Sequence, residues 1–326
     1  MSVTIKDVAK ESGYSVTTVS YALNDHAGIP SKTKEKIKDV AKKLNYVPSA
    51  YASSLKSKKS FNIGVFVADF DGPVHQTIIS GIAKGINEVK GPYKIFVTVA
   101  KSSMNLIKSG IVDLAVIMDS RVSNAEVTEI SKIVPVITFD MKVDGDNIYY
   151  TDITNKRSVY EVVMYLYKKG LTRIGYLLGA EKSYHNQMRF EGYKMALDTL
   201  GLKLDKSIVF NGGKFIEEAG FEVINSYLKK GKIEFDALVC ANDELAIGAL
   251  KALSLNNINC PKDVKVTGFD NDAIGQTIKP TLSTISVNWQ EYGRKIARYA
   301  IDIISGEKVD KQMIIETTFI ERDSTK

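Results

Sequence analysis

Over residues 4–44 apolar side chains recur at helical spacing in three short runs. Thr4 opens the first, with Asp7 three residues on, the spacing of a capping box ahead of Ile5, Val8 and Ala9. Ser12-Gly13-Tyr14 breaks it. A second helix is expected from about Ser15 to Leu23, with Val16, Val19, Ala22 and Leu23 as its apolar positions. Asn24 to Gly28 reads as a loop, Pro30 ends it, and Ser31 is placed to cap a third helix. There Ile37, Val40, Ala41 and Leu44 fall at i, i+3, i+4, i+7, leaving the lysines on the other face. Pro48 then marks a boundary. Residues 49–60 read either as a plain linker or as a helix of about two turns capped by Ser49, too short to be stable alone.

From Phe61 the period changes. Residues 61–68 form a buried-strand run, followed by helical spacing through Ile78, Ile79, Ile82, Ile86 and Val89. Further strands are expected at 93–100, 112–118 and 134–139. The alternation restarts at 173–178 and continues near Val209, at 237–240 and at 264–268, with helices at 184–200, 216–230 and 242–255. Strands alternating with helices argue for parallel, doubly wound sheets. Residues 61–326 are long for one sheet, so two α/β lobes with a cleft between them are expected. The expected organisation is an all-α head at 1–48, a linker at 49–60 and a two-lobed domain at 61–326.

Charge sharpens the reading of the head. Residues 1–60 carry eleven lysines, no arginine and five acids, so the chain's whole formal charge of +6 lies there and the remainder balances. Localised basicity is the footprint of a polyanion, nucleic acid before membrane, or else a solvated lysine-rich face. Two helices joined by a tight Gly-containing turn have the arrangement of a helix-turn-helix, whose second helix enters the major groove. Val16, Thr17, Ser20 and Tyr21 are the groove-facing side chains on that reading, offering hydroxyls, methyls and a phenol to base edges. A small three-helix bundle without DNA is the alternative.

Other classes are disfavoured. No run reaches the ~18–20 apolar residues of a membrane span, and the first residues lack the pattern of a secretory signal. Two cysteines and three histidines (His26, His75, His185), none at metal-ligand spacing, argue against a disulfide framework or a metal site. A reducing cytoplasm fits. The phosphate-loop, dinucleotide-binding and nucleophile-elbow signatures do not occur; Gly212-Gly213-Lys214 has Ile208 where the upstream glycine is needed.

Residues 4–24, TIKDVAKESGYSVTTVSYALN, resemble the DNA-binding head of the lactose-repressor (LacI/GalR) family. The resemblance continues through KEKIK (34–38), LNYVP (44–48), Ala52 and Leu55. In the larger domain it rests on IGV (63–65), Arg189 with Gly192, ANDELAIG (241–248), VTGFD (266–270), PTLST (280–284) and ERDST (321–325). Head, linker and core motifs stand in family order. The resemblance implies a helix-turn-helix head joined to a periplasmic-binding-protein-like core of two doubly wound lobes. It further implies a homodimeric repressor whose affinity for operator DNA is set by a small sugar-like effector in the cleft, with no cofactor and no catalysis.

Site residues follow from the same resemblance. Val16 and Thr17 at the start of the second helix, and Tyr21 a turn later, match base-contacting positions. Many members carry Arg at the last, so a bidentate guanine contact is lost there. Thr4, Ser15, Thr18, Ser20, Asn24 and Ser31 complete the expected contacts in the head. Residues 49–60 match a hinge helix in which Ala52 and Leu55 meet DNA, Leu55 as a wedge in the minor groove. In the cleft Arg189, Asn242 and Asp270 match ligand-holding positions and Phe215 an aromatic stacking one. His75 and Gln76 fall where the first lobe touches ligand, although Gly72-Pro73-Val74-His75 replaces the usual Asn-Pro-Phe-Phe. Asp243 is either a ligand contact or the cap of the following helix, and Glu191, Tyr184 and Asp152 are weaker candidates. A solute carrier explains the lobes but not the basic head, and a sugar hydrolase needs a carboxylate pair that no motif specifies. The last strand is expected near 311–320 with no leucine heptads after it, so a dimer is expected over a tetramer, joined through the apolar faces of helices near 78–89 and 245–255.

Overall fold

The computed structural model describes residues 3–47, 59–70, 72–139, 141–231 and 233–326. They divide into two units, Met1–Phe61 and Asn62–Lys326. In the first, helices α1 (Ile5–Ser12), α2 (Val16–Leu23) and α3 (Ser31–Lys43) enclose Val8, Ala9, Val19, Ala22, Ile37 and Ala41. The termini follow the local signals. Asp7 Oδ2 accepts from Thr4 N at 2.8 Å and from Thr4 Oγ1 at 2.7 Å, and Gly13 ends α1 at φ 76°, where a side chain on Cβ is penalised. Ser15 Oγ accepts from Thr18 N at 3.1 Å and so caps α2. The expected cap of α3 is corrected: Pro30 occupies the N-cap and Ser31 is the first helical residue, its hydroxyl making no cap bond. The expected hinge contacts Ala52 and Leu55 lie outside the described residues.

The second unit holds two six-stranded sheets. The first contains β1 (Asn62–Val67), β2 (Lys94–Val99), β3 (Leu114–Met118), β4 (Val136–Thr138), β5 (Ile148–Ile153) and β11 (Gln312–Ile315), in the order β11-β5-β4-β3-β1-β2 and parallel throughout. The second contains β6 (Ile174–Leu178), β7 (Val209–Asn211), β8 (Ala237–Cys240), β9 (Lys265–Asp270), β10 (Ser283–Ser286) and β12 (Thr318–Ile320), in the order β12-β10-β9-β8-β6-β7. There only β12 is antiparallel, against β10. Each sheet is wrapped by crossover helices, as parallel pairing requires. In the first lobe these are α4 (Pro73–Glu88), the short α5 (Ala100–Ser103) and α6 (Asn105–Lys108), and α7 (Asn124–Ser131). The second lobe has α8 (Asn155–Lys168), α9 (Tyr184–Thr199), α10 (Glu217–Leu228) and α11 (Asp243–Leu255). Helix α12 (Trp289–Ser305) returns to pack on α4.

The chain therefore passes between the lobes three times, after β5, after β10 and after β11. The expected single strand at 311–320 is two strands, β11 and β12, which join different sheets. One hydrophobic core runs from Ile63, Ile78 and Ile82 in the first lobe, through Phe139, Trp289 and Tyr292, to Leu238, Ala246 and Phe269 in the second. Each such apolar side chain contributes about 1.5–3 kcal/mol by leaving water. The outer face of the first sheet has its own cluster around Phe66, Ile107 and Ile117.

The helices expected to join two copies spend their apolar faces inside the fold. Ile78, Ile82 and Ile86 of α4 are buried, and a Cβ on its Gly81 would stand 2.2 Å from the Gln290 carbonyl oxygen of α12. Likewise a Cβ on Gly248 of α11 would stand 2.1 Å from the Glu217 carbonyl oxygen of α10. Both helix pairs approach closely at these glycines, so the buried apolar positions serve the fold, while Ile79 stays half-buried and Leu255 is 63 % exposed.

Candidate functional site

In the head, burial of Val19 and Ala22 turns the opposite side of α2 outward. Val16 and Tyr21 are 42 % and 39 % exposed, Thr17 is exposed, and Ser20 is half-buried. The Tyr21 ring stacks on His26, centroids 4.7 Å apart at 18°, which fixes where the phenol points. Other head residues are engaged locally. Thr18 Oγ1 lies 2.9 Å from Ser15 Oγ, Asn24 Nδ2 donates to the Ser20 carbonyl at 2.8 Å, and Thr4 is held in its capping box. Ser31 is exposed at the start of α3. Lysines 32, 36, 42 and 43 leave the outer face of α3 basic and exposed, while Lys38 pairs with Asp25 at 2.6 Å.

Between the two lobes of the core lies a cavity of about 350 Å³. Its walls come from the carboxyl ends of strands in both sheets, where a doubly wound fold presents loops and helix starts to a ligand. The first lobe supplies Ala68 after β1, the start of α4 at Pro73, Val74 and His75, Ser120 after β3, and Phe139 after β4. Trp289 opens α12. The second lobe supplies Ser183 at the N-cap of α9, His185 and Arg189 within it, Asp270 at the end of β9, and Phe215, Asn242, Glu244 and Asp272 from loops and from the start of α11.

Arg189 organises the second-lobe wall. Its Nε donates to Asn155 Oδ1 at 2.9 Å and its Nη1 to the Ala241 carbonyl at 2.5 Å. Nη2 faces Asp270 Oδ1 at 3.6 Å, and the guanidinium carbon lies 3.6 Å from the centre of the Phe269 ring. Asp270 sits at φ 108°, a costly position for a residue with a side chain, and its Oδ1 is buried with no hydrogen-bond partner. Burial pushes its carboxyl well above the usual range, and Arg189 opposes that only in part. Asn155 spends its oxygen on Arg189, so its Nδ2 donates to His185 Nδ1 at 2.8 Å and the ring proton belongs on Nε2. Burial and the Arg189 charge lower His185 to about 3, which keeps it neutral. His75 is also pushed down by burial.

Aromatic rings complete the site. Phe139 lies 4.8 Å from His185 and 6.1 Å from Trp289, both edge-on. Phe215 is seated over Gly179, where a Cβ would come within 2.2 Å of its ring. Apolar ring faces beside buried hydrogen-bonding groups suit a compact polyhydroxyl ligand.

Models of two known families match the chain: the lacI family of bacterial regulatory proteins over residues 4–49, and the periplasmic binding protein-like domain over residues 163–325. In fold the chain is similar to a lac repressor dimer bound to operator and the anti-inducer ONPF, with a TM-score of 0.86 and 22 % identity over 100 % of this chain and 99 % of that one. It is also similar to a sugar-binding transcriptional regulator of the LacI family from Enterococcus faecalis, with a TM-score of 0.73 and 26 % identity over 82 % and 98 % of the two chains. It is 33 % identical to the HTH-type transcriptional regulator RegA of Clostridium acetobutylicum over 100 % of both chains. The chain belongs to the lacI family of bacterial regulatory proteins. It is a DNA-binding transcriptional regulator, and no helix among the described residues is long and apolar enough to cross a membrane.

The cavity brings together five of the six ligand residues expected from the lacI-family resemblance: His75, Arg189, Phe215, Asn242 and Asp270. Gln76 is a correction. One residue along α4 its side chain turns away from the cavity, and its Nε2 donates to the Phe70 carbonyl at 2.9 Å. Asn242 also caps α11, its Oδ1 accepting from Leu245 N at 3.1 Å, while Nδ2 donates to the Phe215 carbonyl at 3.2 Å. Asp243 is neither cap nor cavity wall: it is buried and accepts from Thr284 Oγ1 at 2.6 Å and Asp272 N at 2.7 Å. Of the weaker candidates, Glu191 pairs with Lys194 at 2.5 Å, and Tyr184 donates to Asp152 at 3.1 Å beside the cavity. Sequence reasoning missed Glu244, Asp272, His185 and Trp289. Glu244 and Asp272 stand within quoted motifs or two residues beyond them, so proximity was the available signal; nothing in the spacing marks Trp289.

Proposed function

We propose that this regulator is a sequence-specific repressor that acts as a homodimer in the cytoplasm and changes its operator affinity when a sugar-like effector occupies the inter-lobe cavity. Residues 1–48 serve as the DNA-binding head, 49–60 as the hinge, and 61–326 as the effector and dimerisation domain. Val16, Thr17 and Tyr21 read bases in the major groove. Ser15, Thr18 and Asn24 hold the helix that presents them, and the lysines neutralise phosphates. Arg189, Asn242 and Asp270 hold effector hydroxyls against the rings of Phe215, Phe139 and Trp289, with no turnover.

The observation that carries this reading is Asp270 Oδ1, buried in a ring-walled cavity with Arg189 as its counter-charge but with no hydrogen bond. An acceptor held there at a conformational cost, with its nearest cation beyond hydrogen-bond distance, suits a donor brought by a ligand. The relatives support the same reading: one is named for sugar binding, another was caught with an operator and an anti-inducer. The test selects a binding sequence from a random DNA pool with the full chain, then adds sugars one at a time. A two-fold symmetric site that one sugar releases or tightens is the expected result. An unstructured set of sequences, or a DNA affinity that no sugar alters, overturns it.

A further inference from the structure

The charges around the cavity do not balance. Among the described residues lining it, Glu244, Asp270 and Asp272 share the second-lobe wall with a single guanidinium, Arg189, while Asp69 of the first lobe lies near Arg121. Arg189 is already engaged with Asn155, the Ala241 carbonyl and Asp270. The two lining histidines are both pushed toward their neutral forms by burial. Of the acids, Asp270 presents the buried Oδ1 that no donor meets. Glu244, in the first turn of α11, and Asp272, two residues past β9, are half-buried, and their carboxylates accept no hydrogen bond from the described residues. Burial raises both, Asp272 to about 6, and Asp272 raises Glu244 further by its charge. This wall offers acceptors and negative potential and has no cation left for an acid.

We propose that Glu244 and Asp272 set the charge selectivity of the cleft, which takes uncharged or amine-bearing polyols and turns away their carboxylated and phosphorylated counterparts. The inference rests on the sugar-effector reading and narrows it. A hydroxyl or ammonium donates to carboxylates that otherwise lack donors, a stronger bond when one partner is charged. An added carboxylate or phosphate instead meets like charge where water screens weakly.

The chain contains one tryptophan, Trp289, and it lines the cavity, so intrinsic fluorescence reports occupancy directly. The full chain is titrated with glucose, galactose and mannose, each alongside its 2-amino, uronic-acid and 6-phosphate derivatives. In any series that binds, both anionic members are expected to bind at least about tenfold more weakly than the neutral one, a gap of about 1.4 kcal/mol. In a Glu244→Gln, Asp272→Asn double variant the gap is expected to shrink to about threefold or less, by the same conversion. A uronic acid or phosphate that binds wild type as tightly as its neutral parent overturns the proposal and leaves the sugar reading standing. A gap that persists in the folded double variant also overturns it. Silence across all the series removes the sugar reading and this proposal with it. The wild-type titrations decide the ligand class even if the double variant does not fold.

Discussion

Replacing Arg189 with alanine removes the central cation of the second-lobe wall. Arg189 is 4 % exposed, and its guanidinium makes two hydrogen bonds, one ion pair and a stacked contact with Phe269. Truncation leaves Asn155 Oδ1 and the Ala241 carbonyl without their donor and Asp270 without its counter-charge. Breaking a buried pair costs about 3–5 kcal/mol. The lower end, about 3 kcal/mol, is expected here because Asp270 relieves itself by taking a proton.

The pH dependence has a definite sign. Burial already raises the folded-state pKa of Asp270 above its unfolded value, and Arg189 is what holds it down. Without Arg189 it rises further. The stability that a raised acid contributes is present below its unfolded pKa and lost as pH climbs through its folded one. The deficit of the variant therefore widens as pH rises through the range in which wild-type Asp270 ionises, and is smallest in acid, where the carboxyl is protonated with or without Arg189. Urea unfolding of the full chain, followed through Trp289 fluorescence, measures both quantities. A deficit under about 1 kcal/mol, or one that shrinks as pH rises, refutes the assignment of Arg189 as the balancing charge. The same variant is expected to bind its selected DNA and to ignore the effector.

Four further outcomes are expected. Ser15→Ala removes the cap of α2 and lowers head stability by about 1 kcal/mol, read as an earlier far-UV dichroism transition and weaker DNA binding; an unchanged transition contradicts the cap. Gly248→Val drives a side chain into the Glu217 carbonyl and destabilises the core by about 3 kcal/mol, so an unchanged urea midpoint contradicts the tight α10–α11 approach. DNA affinity measured by fluorescence anisotropy falls steeply between about 50 and 200 mM salt as lysine contacts release counterions, and a flat profile excludes the basic head as the contact surface. Light scattering of the full chain returns twice the 36.0 kDa protomer mass, and a monomer at micromolar concentration contradicts the proposed dimer.

Much of the head was legible because its signals are local. The Thr4–Asp7 capping box and the Gly13 stop act within one helical turn of the residues they control, and the period of Val8, Val19 and Ile37 names the buried faces. The cleft was legible in part. Arg189, Asn242 and Asp270 stand in recognisable motifs, whereas His75 and Gln76 rested on family position alone, in a stretch where Gly72-Pro73-Val74-His75 departs from the family's residues. On a helix neighbouring residues point about 100° apart, and the cavity takes one of them.

Apolar runs such as Leu114–Met118 and Ala237–Cys240 settled the central strands, since runs that short, apolar and fully buried fit the middle of a parallel sheet. Strands β5 and β10 carried no such signal. Ser283 and Thr284 of β10 are fully buried polar residues, tolerable because partners distant in sequence meet their hydroxyls: Arg322 and Thr325 for Ser283, Asp243 for Thr284. The sequence by itself determined three head helices, the strand–helix alternation and the concentration of positive charge in the first sixty residues. Tertiary structure alone decided that β11 and β12 part into different lobes, that Gly81 and Gly248 let their helices pack closely on α12 and α10, and that Glu244 and Asp272 share a cavity with Trp289. Those outcomes depend on contacts between segments far apart along the chain, which short-range periodicity does not encode.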